Sequence, residues 1–290
     1  MANLTGWILE KYNHMEGAYT CHRLQEEGKA LGMDVRILGV HDTQILPGSA
    51  GVTVRNGGEA LTSADFILLR YKWGRMRETI PQLAKRCYNS VKAFGRYVNK
   101  YEQLRNIHSK EALLPHSLLV TAQYPYESAA EEFGTVFVAK GLESSMGQEI
   151  FLVRTQEAWE TLRKEYGPER EWLLQEYIAE SSGRDMRIYS IRGKAVAGMV
   201  RESEGDFRAN VALGARVSPL EITPQMEKIC KDVYISTGLD FVGIDLLFGE
   251  EKPYFCEVNV MPGLEGIEQA TGVNVAGMVM GTIASDFAEK

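Results

Sequence analysis

The chain has little cysteine and no long apolar run. Its four cysteines, Cys21, Cys87, Cys230 and Cys256, form no C-x-x-C pair and have no histidine nearby at zinc-like spacing. We therefore expect reduced thiols, with neither a disulfide framework nor a zinc site. No apolar run approaches the roughly 18 residues of a membrane-spanning helix. The N-terminal segment MANLTGWILEKYNH also lacks the basic and apolar regions of a signal peptide, so the sequence predicts a cytoplasmic protein.

The chain also lacks an excess of basic residues. Lysine and arginine total 32, against 39 aspartates and glutamates, which gives a net charge of −7. This balance argues against nucleic acid or an anionic membrane as the main partner. None of the five histidines has a partner at a spacing that identifies a Ser-His-Asp or Cys-His arrangement. The 290 residues suffice for one large domain or two to three small ones.

Strand-like and helix-like segments alternate over the first third of the chain. GWILEKY, DVRILGV and ADFILLRY have the apolar pattern of strands, whereas AYTCHRLQEEGKALGM has helical spacing and ends near a glycine. This alternation predicts an open, largely parallel sheet. Later segments are mainly strands, with helices expected over 157–166 and 224–237 and at the C-terminus. The predicted fold class is therefore α/β in the first part and α+β in the rest.

An acidic hairpin is predicted in GIDLLFGEEKPYFCEVNVMPGLEG. Pairing Phe248 with Tyr254 across a five-residue loop sets the register. Asp245 then lies opposite Glu257, and Asn259 shares their face of the sheet. Close carboxylates are tolerated when a hard divalent cation lies between them, and an oxygen-only ligand set suits magnesium. A solvated face of an amphipathic hairpin would give the same pattern.

A lysine at the end of an apolar strand is the next unusual feature. Lys140 closes the run TVFVAKG and is followed by GLESSMGQE. Backbone N–H groups of that small, polar segment could surround phosphates while Lys140 supplies a positive charge. On this segment alone, an ordinary hairpin turn is the favoured interpretation.

A second hairpin combines arginine with aspartate. A three-residue turn at 192–194 places Asp185 opposite Arg201, with Arg187 on the same face. Arg208 and Asn210 follow the second strand. Guanidinium and amide donors beside a carboxylate can hold triphosphate oxygens or an acyl phosphate, although surface ion pairs would look the same in sequence.

A basic loop follows the strand ADFILLRY. Arg70, Lys72, Arg75 and Arg77 occur there within LLRYKWGRMR. Ligands of open α/β sheets bind outside the carboxyl ends of the strands. Arg70 and Arg75 are therefore candidate contacts for an anionic substrate, with a solvated basic loop as the alternative.

In their order along the chain, these segments resemble the ATP-grasp ligases, and among them the RimK-type glutamate ligases and related amino-acid ligases. The resemblance rests on GDFRAN, ITPQ, VGIDLL and EVNVMPGLEGIEQATGVNVAG, and it begins near YNSVKAFGRYVNK. It implies an ATP-grasp fold behind an open α/β domain. The implied divisions are a pre-ATP-grasp domain over 1–98, a lid subdomain with a phosphate-covering loop over 99–180, and a C-terminal subdomain with the magnesium site over 181–290.

The resemblance also implies roles for individual residues. The nucleotide would be bound by two lysines, the phosphate-covering loop, an adenine-binding linker and a ribose contact, namely Lys100, Lys140, Glu143, Ser144, Ser145, Gly147, Gln175, Glu176, Tyr177, Ile178 and Asp185. Phosphate or acyl-phosphate contacts would come from Arg187, Arg201, Arg208 and Asn210. The magnesium ligands would be Asp245, Glu257 and Asn259.

The chain departs from the family pattern in three places. ESSMG stands where a relative typically has E-G-T-Q-G, and VALGA replaces a more polar segment after FRAN. Asn99 replaces a frequent aspartate before Lys100. None of these changes removes an expected metal ligand.

The function implied by the resemblance is ligation of a carboxylate to an amine, driven by ATP with Mg²⁺ or Mn²⁺. An acyl phosphate would form, ADP and phosphate would be released, and an amino acid such as glutamate would be added to a small-molecule, peptide or protein carboxylate. A phosphotransferase and a non-catalytic ATP-binding module are the alternatives. A homodimer or homotetramer is also expected from the resemblance.

Overall fold

The chain alternates strands and helices throughout its length. The computed structural model describes residues 4–11, 19–49, 51–72, 74–143, 148–209 and 214–288. The strands are β1 Thr5–Glu10, β2 Asp34–Gly39, β3 Thr43–Gly48, β4 Gly51–Asn56, β5 Glu59–Leu61, β6 Ala64–Leu69, β7 Ala84–Tyr88, β8 Ser117–Thr121, β9 Phe137–Gly141, β10 Ile150–Val153, β11 Glu171–Glu176, β12 Arg184–Ile191, β13 Lys194–Glu202, β14 Arg216–Pro219, β15 Phe241–Leu247 and β16 Tyr254–Asn259. The α-helices are α1 Tyr19–Ala30, α2 Met76–Thr79, α3 Val91–Tyr97, α4 Lys100–Asn106, α5 Tyr126–Phe133, α6 Gln156–Tyr166, α7 Pro224–Thr237, α8 Glu265–Thr271 and α9 Val275–Ala288.

The first part of the chain forms a parallel sheet, as predicted. Its strand order is β2-β1-β6-β7, and we call it the N-terminal sheet. The inner positions of β1 are all buried, as is typical of a parallel strand covered on both faces. Strands β3, β4 and β5 form a separate antiparallel sheet beside it.

A glycine controls how closely the first helix packs. Gly28 lies inside α1, where glycine weakens a helix relative to alanine. A Cβ at this position would lie 2.6 Å from the Val35 side chain and 2.9 Å from that of Met280. The absent side chain therefore lets α1 fit between β2 and α9.

The second sheet, which we call the middle sheet, has the antiparallel order β10-β9-β11-β8. Its core is aromatic. The rings of Trp159 and Trp172 lie 6.4 Å apart edge to face, and Phe151 contacts Trp172 in the same way. Helix α6 supplies Trp159 and confirms the helix expected over 157–166.

The third sheet, which we call the C-terminal sheet, has the antiparallel order β14-β13-β12-β15-β16. Helix α7 covers it and confirms the helix expected over 224–237. The side chain of Thr223 accepts a hydrogen bond from the Met226 amide at the start of α7, and Gly238 ends it in the left-handed conformation. The final helix is present as α8 and α9.

The predicted pairing of β12 with β13 is confirmed, but the turn is shorter than expected. It contains Arg192 and Gly193 alone, both with positive φ as a tight two-residue hairpin requires. A bulge between Tyr189 and Ser190 offsets the missing residue, so that Asp185 still pairs with Arg201.

The acidic hairpin shows the same compensation. Phe248 does not pair with Tyr254, which lies opposite Leu247 instead, so that part of the prediction is wrong. A bulge at Cys256 then shifts the register by one residue, and Asp245 lies opposite Glu257 as expected.

The three domain limits remain predictions. The N-terminal sheet uses strands up to Tyr88, the middle sheet spans Ser117 to Glu176, and the C-terminal sheet begins at Arg184. None of the helices in the described ranges is long and apolar enough to cross a membrane.

Candidate active site

A cavity of about 830 Å³ lies between the middle sheet and the C-terminal sheet and extends to the carboxyl ends of β1 and β6. This volume is within the range of small-molecule sites. Most of the predicted site residues line it, namely Arg70, Lys140, Gln175, Glu176, Tyr177, Ile178, Asp185, Arg187, Arg201, Arg208, Asp245, Glu257 and Asn259.

The other predicted residues lie elsewhere. Lys100 lies next to Glu257, Glu143 lies in the turn that follows β9, and Arg75 is exposed at the start of α2. Ser144, Ser145, Gly147 and Asn210 lie outside the described residues.

One wall of the cavity is a row of buried, paired charges. Arg187 donates from Nε and Nη2 to the two oxygens of Asp245, at 2.7 and 2.6 Å. Arg201 donates in the same way to Asp185, at 2.6 Å for each bond, and its Nη2 also lies 2.9 Å from Asp245 Oδ2. The strands determine this row, because Arg187 is opposite Asp245 and Arg201 is opposite Asp185. Bidentate pairing compensates for the removal of these charges from water.

The two aspartates of this row differ in their affinity for a proton. Burial alone would raise the pKa of Asp245, but the charges of Arg187 and Arg201 hold it well below its ordinary value. Asp185 contacts a single guanidinium, and burial raises its pKa. Asp245 is therefore the carboxylate that stays ionised most firmly.

Beside this row are the predicted magnesium ligands. Asp245 Oδ1 accepts one hydrogen bond and keeps a further lone pair, and Glu257 is opposite Asp245 and partly exposed. The Asn259 side-chain oxygen accepts a bond from the Met261 amide at 3.0 Å. No group of three or more histidine, cysteine, aspartate or glutamate side chains in the described part of the chain has the arrangement of a metal site. The set is two carboxylates and one amide, and these oxygen donors fit magnesium.

Two lysines bring positive charge to the same region. Lys100 is 5% exposed, and its Nζ lies 3.6 Å from Glu257 Oε2. Asn99 caps the helix that carries it, and the Lys100 amide donates to the carbonyl of Leu142, which directly follows β9. Lys140 is also buried, and its Nζ lies 3.7 Å from Cys256 Sγ. Asparagine caps a helix as well as aspartate does, so the departure at Asn99 preserves the local structure.

A further part of the cavity wall is formed by the end of β11 and the two residues that follow it. Gln175 is buried, and its amide nitrogen donates to Ser117 Oγ at 2.9 Å. Glu176 accepts a bond from the His116 amide at 2.7 Å. These contacts fix the segment 175–178 along the cavity.

Arg208 is held by its neighbour Asp206. Its Nε and Nη2 donate to the Asp206 carboxylate at 3.0 and 2.7 Å, and its backbone amide donates to Asp206 Oδ1 at 2.9 Å. The Arg208 side chain consequently lines the cavity from a fixed loop.

Sequence reasoning missed part of the cavity wall. Glu10, Lys11 and Tyr71 line it together with Arg70. Lys72, which the sequence had placed in the basic loop, lines it as well, and its Nζ contacts the Glu143 carbonyl. The sequence could have indicated these residues, because β1 and β6 are predicted parallel strands and their carboxyl ends meet at one edge of the sheet, where ligands bind. Arg184, Phe207 and Cys256 were also missed as lining residues.

Comparisons with known proteins agree with this architecture. The family model described as the RimK-like ATP-grasp domain matches residues 99–283. The chain is 31% identical over 275 residues to a probable alpha-L-glutamate ligase of Thioalkalivibrio sulfidiphilus, with 91% of each chain covered. It is also 31% identical over 278 residues to a probable alpha-L-glutamate ligase of Coxiella burnetii, with 92% of this chain and 90% of the other covered.

Solved structures share the fold at lower identity. The ATP-grasp ligase PsnB, complexed with a phosphomimetic variant of its minimal precursor, Mg and ADP, has a TM-score of 0.73 at 17% identity and covers 98% of this chain and 99% of its own. The macrocyclase MdnC of Microcystis aeruginosa, bound with precursor peptide MdnA, has a TM-score of 0.73 at 16% identity, with 97% and 100% covered. A RimK domain protein of Sphaerobacter thermophilus has a TM-score of 0.69 at 17% identity, with 95% and 98% covered.

Proposed function

Because this chain belongs to the family of RimK-like ATP-grasp proteins, we propose that it is a ligase that uses ATP and magnesium to join a carboxylate to an amine. The cavity supports this proposal. Its lining includes the segment 175–178, the cationic side chains of Lys140, Arg187 and Arg201, and the oxygen donors of Asp245, Glu257 and Asn259.

In this proposal the chain binds the nucleotide along the cavity. The segment 175–178 contacts the base, and Asp185 lies near the ribose. Lys100 and Lys140 bind phosphate oxygens, together with the loop that carries Glu143, Ser144, Ser145 and Gly147. Asp245, Glu257 and Asn259 hold the magnesium, which when bound neutralises phosphate charge.

The proposed reaction has two steps. An oxygen of the acceptor carboxylate forms a bond to the γ-phosphorus, and ADP leaves. The amine nitrogen then forms a bond to the acyl carbon, the bond from that carbon to the phosphate oxygen breaks, and phosphate leaves with a proton released from nitrogen. Arg187, Arg201, Arg208 and Asn210 stabilise the charge on the transferred group, which is the main contribution of a protein to phosphoryl transfer.

The observation that carries the proposal is the buried row formed by Arg187, Asp245, Arg201 and Asp185. Charges in this number are costly to bury and add little stability over apolar residues of the same size. Their place on the cavity wall, beside Glu257 and Lys140, favours a role in binding phosphates and metal.

The relatives guide the choice of substrates. L-Glutamate is the amine substrate to test first, since the relatives at 31% identity are named alpha-L-glutamate ligases. PsnB and MdnC are complexed with precursor peptides, so peptides join small acids as candidate acceptors. Arg70 and Arg75 are proposed to bind an anionic substrate. A cytoplasmic location, the three domain limits and a dimer or tetramer remain predictions.

The test incubates the purified protein with ATP, Mg²⁺, L-glutamate and a pool of metabolite acids and short peptides, while nucleotides and product masses are followed together. We expect ADP, phosphate and a product one water lighter than its two parents. A phosphorylated acid without condensation would replace the proposal with a phosphotransferase. ATP binding without turnover on any pool would favour a non-catalytic module.

A further inference from the structure

The end of the cavity nearest the N-terminal sheet contains charges of both signs. Glu10 is the last residue of β1, and Arg70 follows β6, the parallel neighbour of β1. The Arg70 amide donates to the Leu9 carbonyl at 2.9 Å, so the two residues extend from adjacent strands at the same edge. Both side chains line the cavity.

Both charges are held in place by neutral groups. Glu10 Oε2 accepts a bond from the Cys21 thiol at 3.2 Å, and Oε1 accepts one from the Lys11 amide at 2.7 Å. Arg70 Nη1 donates to the Pro262 carbonyl at 2.9 Å. Cys21 is buried, and burial raises the pKa of its thiol against the opposing effect of the Arg70 charge.

The thiol is a dependable hydrogen-bond donor. Burial, more than the neighbouring charges, raises the pKa of Cys21 to about 12. The thiol therefore keeps its proton at neutral pH and continues to orient Glu10. Arg23 of α1 pairs with Glu268 of α8, and in the described part of the chain neither forms an ion pair with Glu10 or Arg70.

The Arg70 guanidinium has a hydrogen-bond donor that the described residues leave without an acceptor. A guanidinium has five N–H donors, and the buried Nε of Arg70 has no hydrogen-bond partner in the described part of the chain. Within those same residues no ion pair links Arg70 or Glu10 to an opposite charge. A buried donor without a partner is costly, which indicates a ligand that completes its hydrogen bonds.

We propose that Glu10 and Arg70 bind the amino group and the carboxylate of a free α-amino acid, which is the amine substrate of the ligation. The inference rests on the proposed function and names the class of that substrate. The two groups of an α-amino acid are attached to one carbon, so they match two opposite charges on adjacent strands. A guanidinium binds a carboxylate through two parallel hydrogen bonds, and the Glu10 carboxylate accepts a bond from the amino group.

This site also differs from the phosphate-binding wall in a way that fits an amine substrate. Arg187 and Arg201 have aspartate partners. Lys100 lies beside Glu257, a proposed magnesium ligand, and Lys140 lies beside the neighbouring Cys256. Glu10, by contrast, is a carboxylate that lines the cavity beside Arg70, at the end nearest the N-terminal sheet. A negative side chain there would repel a phosphate but attract an amino group.

The first experiment measures binding, so that it does not depend on turnover. L-Glutamate is titrated calorimetrically into the protein with ADP and Mg²⁺, and the other standard amino acids follow. We expect Arg70→Met and Glu10→Gln each to raise the Kd of the bound amino acid about tenfold, the value of one charge-assisted hydrogen-bond pair. Arg70→Lys should give an intermediate Kd. Glu59→Gln is the matched control, because its side chain is 71% exposed on β5.

Two ligand analogues assign each charge to its partner. N-acetyl-L-glutamate lacks the amino group, so it should bind the wild type weakly and Glu10→Gln with the same Kd. γ-Aminobutyrate lacks the α-carboxylate, so Arg70→Met should not weaken its binding further. Unchanged ADP affinity and melting temperature in the variants would show that the fold is intact, and Glu10→Asp serves as a second variant.

The outcomes separate this proposal from the proposed function. Ligation by the wild type, with unchanged Kd and KM for the amino acid in Glu10→Gln and Arg70→Met, would overturn the site and leave the ligase. The absence of binding by any standard amino acid would also overturn it. Binding that depends on both side chains, without ADP formation on any acceptor pool, would keep the amino-acid site and overturn the ligase.

Discussion

The cavity has two charged regions that differ in how their charges are compensated. On the C-terminal sheet, Arg187 and Arg201 are locked onto Asp245 and Asp185 by short bidentate bonds. At the N-terminal sheet, Glu10 and Arg70 contact neutral donors and acceptors instead. The paired region contributes a rigid, buried surface, whereas the second region keeps its capacity for a ligand. We therefore expect mutations in the first to change stability together with activity, and mutations in the second to change substrate affinity alone.

The largest expected effect is that of Asp245→Ala. It would leave Arg187 and Arg201 buried without their common partner, which costs about 3–5 kcal/mol of unfolding free energy. It would also remove a proposed magnesium ligand, so ADP formation should fall at least about 100-fold. Chemical denaturation and an ADP assay measure the two effects. Glu251→Ala, in the exposed turn of the same hairpin, is the control. Wild-type stability in Asp245→Ala would contradict the contrast between the regions.

Glu257→Ala removes a carboxylate that lies on the same wall as Asp245 but is partly exposed. Without this carboxylate, the rate of ADP formation should fall about 100-fold or more, while the protein still folds. Because Lys100 loses its contact with Glu257 in this variant, we expect the free energy of unfolding to fall by about 1 kcal/mol. Full activity would refute the assignment of the acidic hairpin as a metal site.

A smaller effect is expected at Cys21, which positions Glu10 rather than contacting substrate. Cys21→Ala removes the donor to Glu10 and should raise the KM of the amino acid about threefold, with kcat and the KM of ATP unchanged. Cys21→Ser keeps a donor and should restore the KM even if it lowers stability. Equal KM values for both variants would show that the thiol acts through packing alone.

The smallest effect concerns a paired cluster outside the cavity. Hydrogen bonding from Arg192 holds the pKa of Asp286 below its ordinary value, and Tyr88 also donates to this carboxylate. A carboxyl with a lower pKa in the folded chain contributes stability above its unfolded pKa, near 4, and loses it as the pH falls toward the folded value.

We therefore expect the unfolding free energy of the wild type to fall below about pH 4, and to fall less in Asp286→Asn. Urea denaturation across this range measures the difference. Activity at neutral pH should be unchanged, because Asp286 does not line the cavity. Identical pH profiles would show that the cluster contributes nothing to acid stability.

Both hairpins show how far strand patterns can predict a site. The alternation of apolar and polar residues correctly paired Asp185 with Arg201 and Asp245 with Glu257. The turns were each wrong by one residue, and a bulge restored the register in each case. A buried face tolerates only one register, because a slip of one residue would turn every side chain to the other face. Turn length depends on local backbone geometry, which the side-chain pattern does not specify.

The candidate site was predicted less completely than the fold. Arg187 was expected beside Asp185, but its bidentate partner is Asp245 on another strand. Glu10 was not singled out at all. It lies far along the chain from the acidic hairpin, and no short motif surrounds it. Arg75 was treated like Arg70, although only Arg70 lines the cavity.

The amino-acid sequence was sufficient to predict the family, the succession of sheets along the chain, the helix limits at α6 and α7, and the shared face of Asp245, Glu257 and Asn259. These properties depend on local spacing and on burial of one face of each element. The pairing of each arginine with its aspartate, and the meeting of Glu10 and Arg70 at one end of the cavity, became visible in the tertiary structure alone. Such contacts join residues from separate strands and sheets, and their distances are set by how the sheets pack, which the spacing within any one segment does not encode.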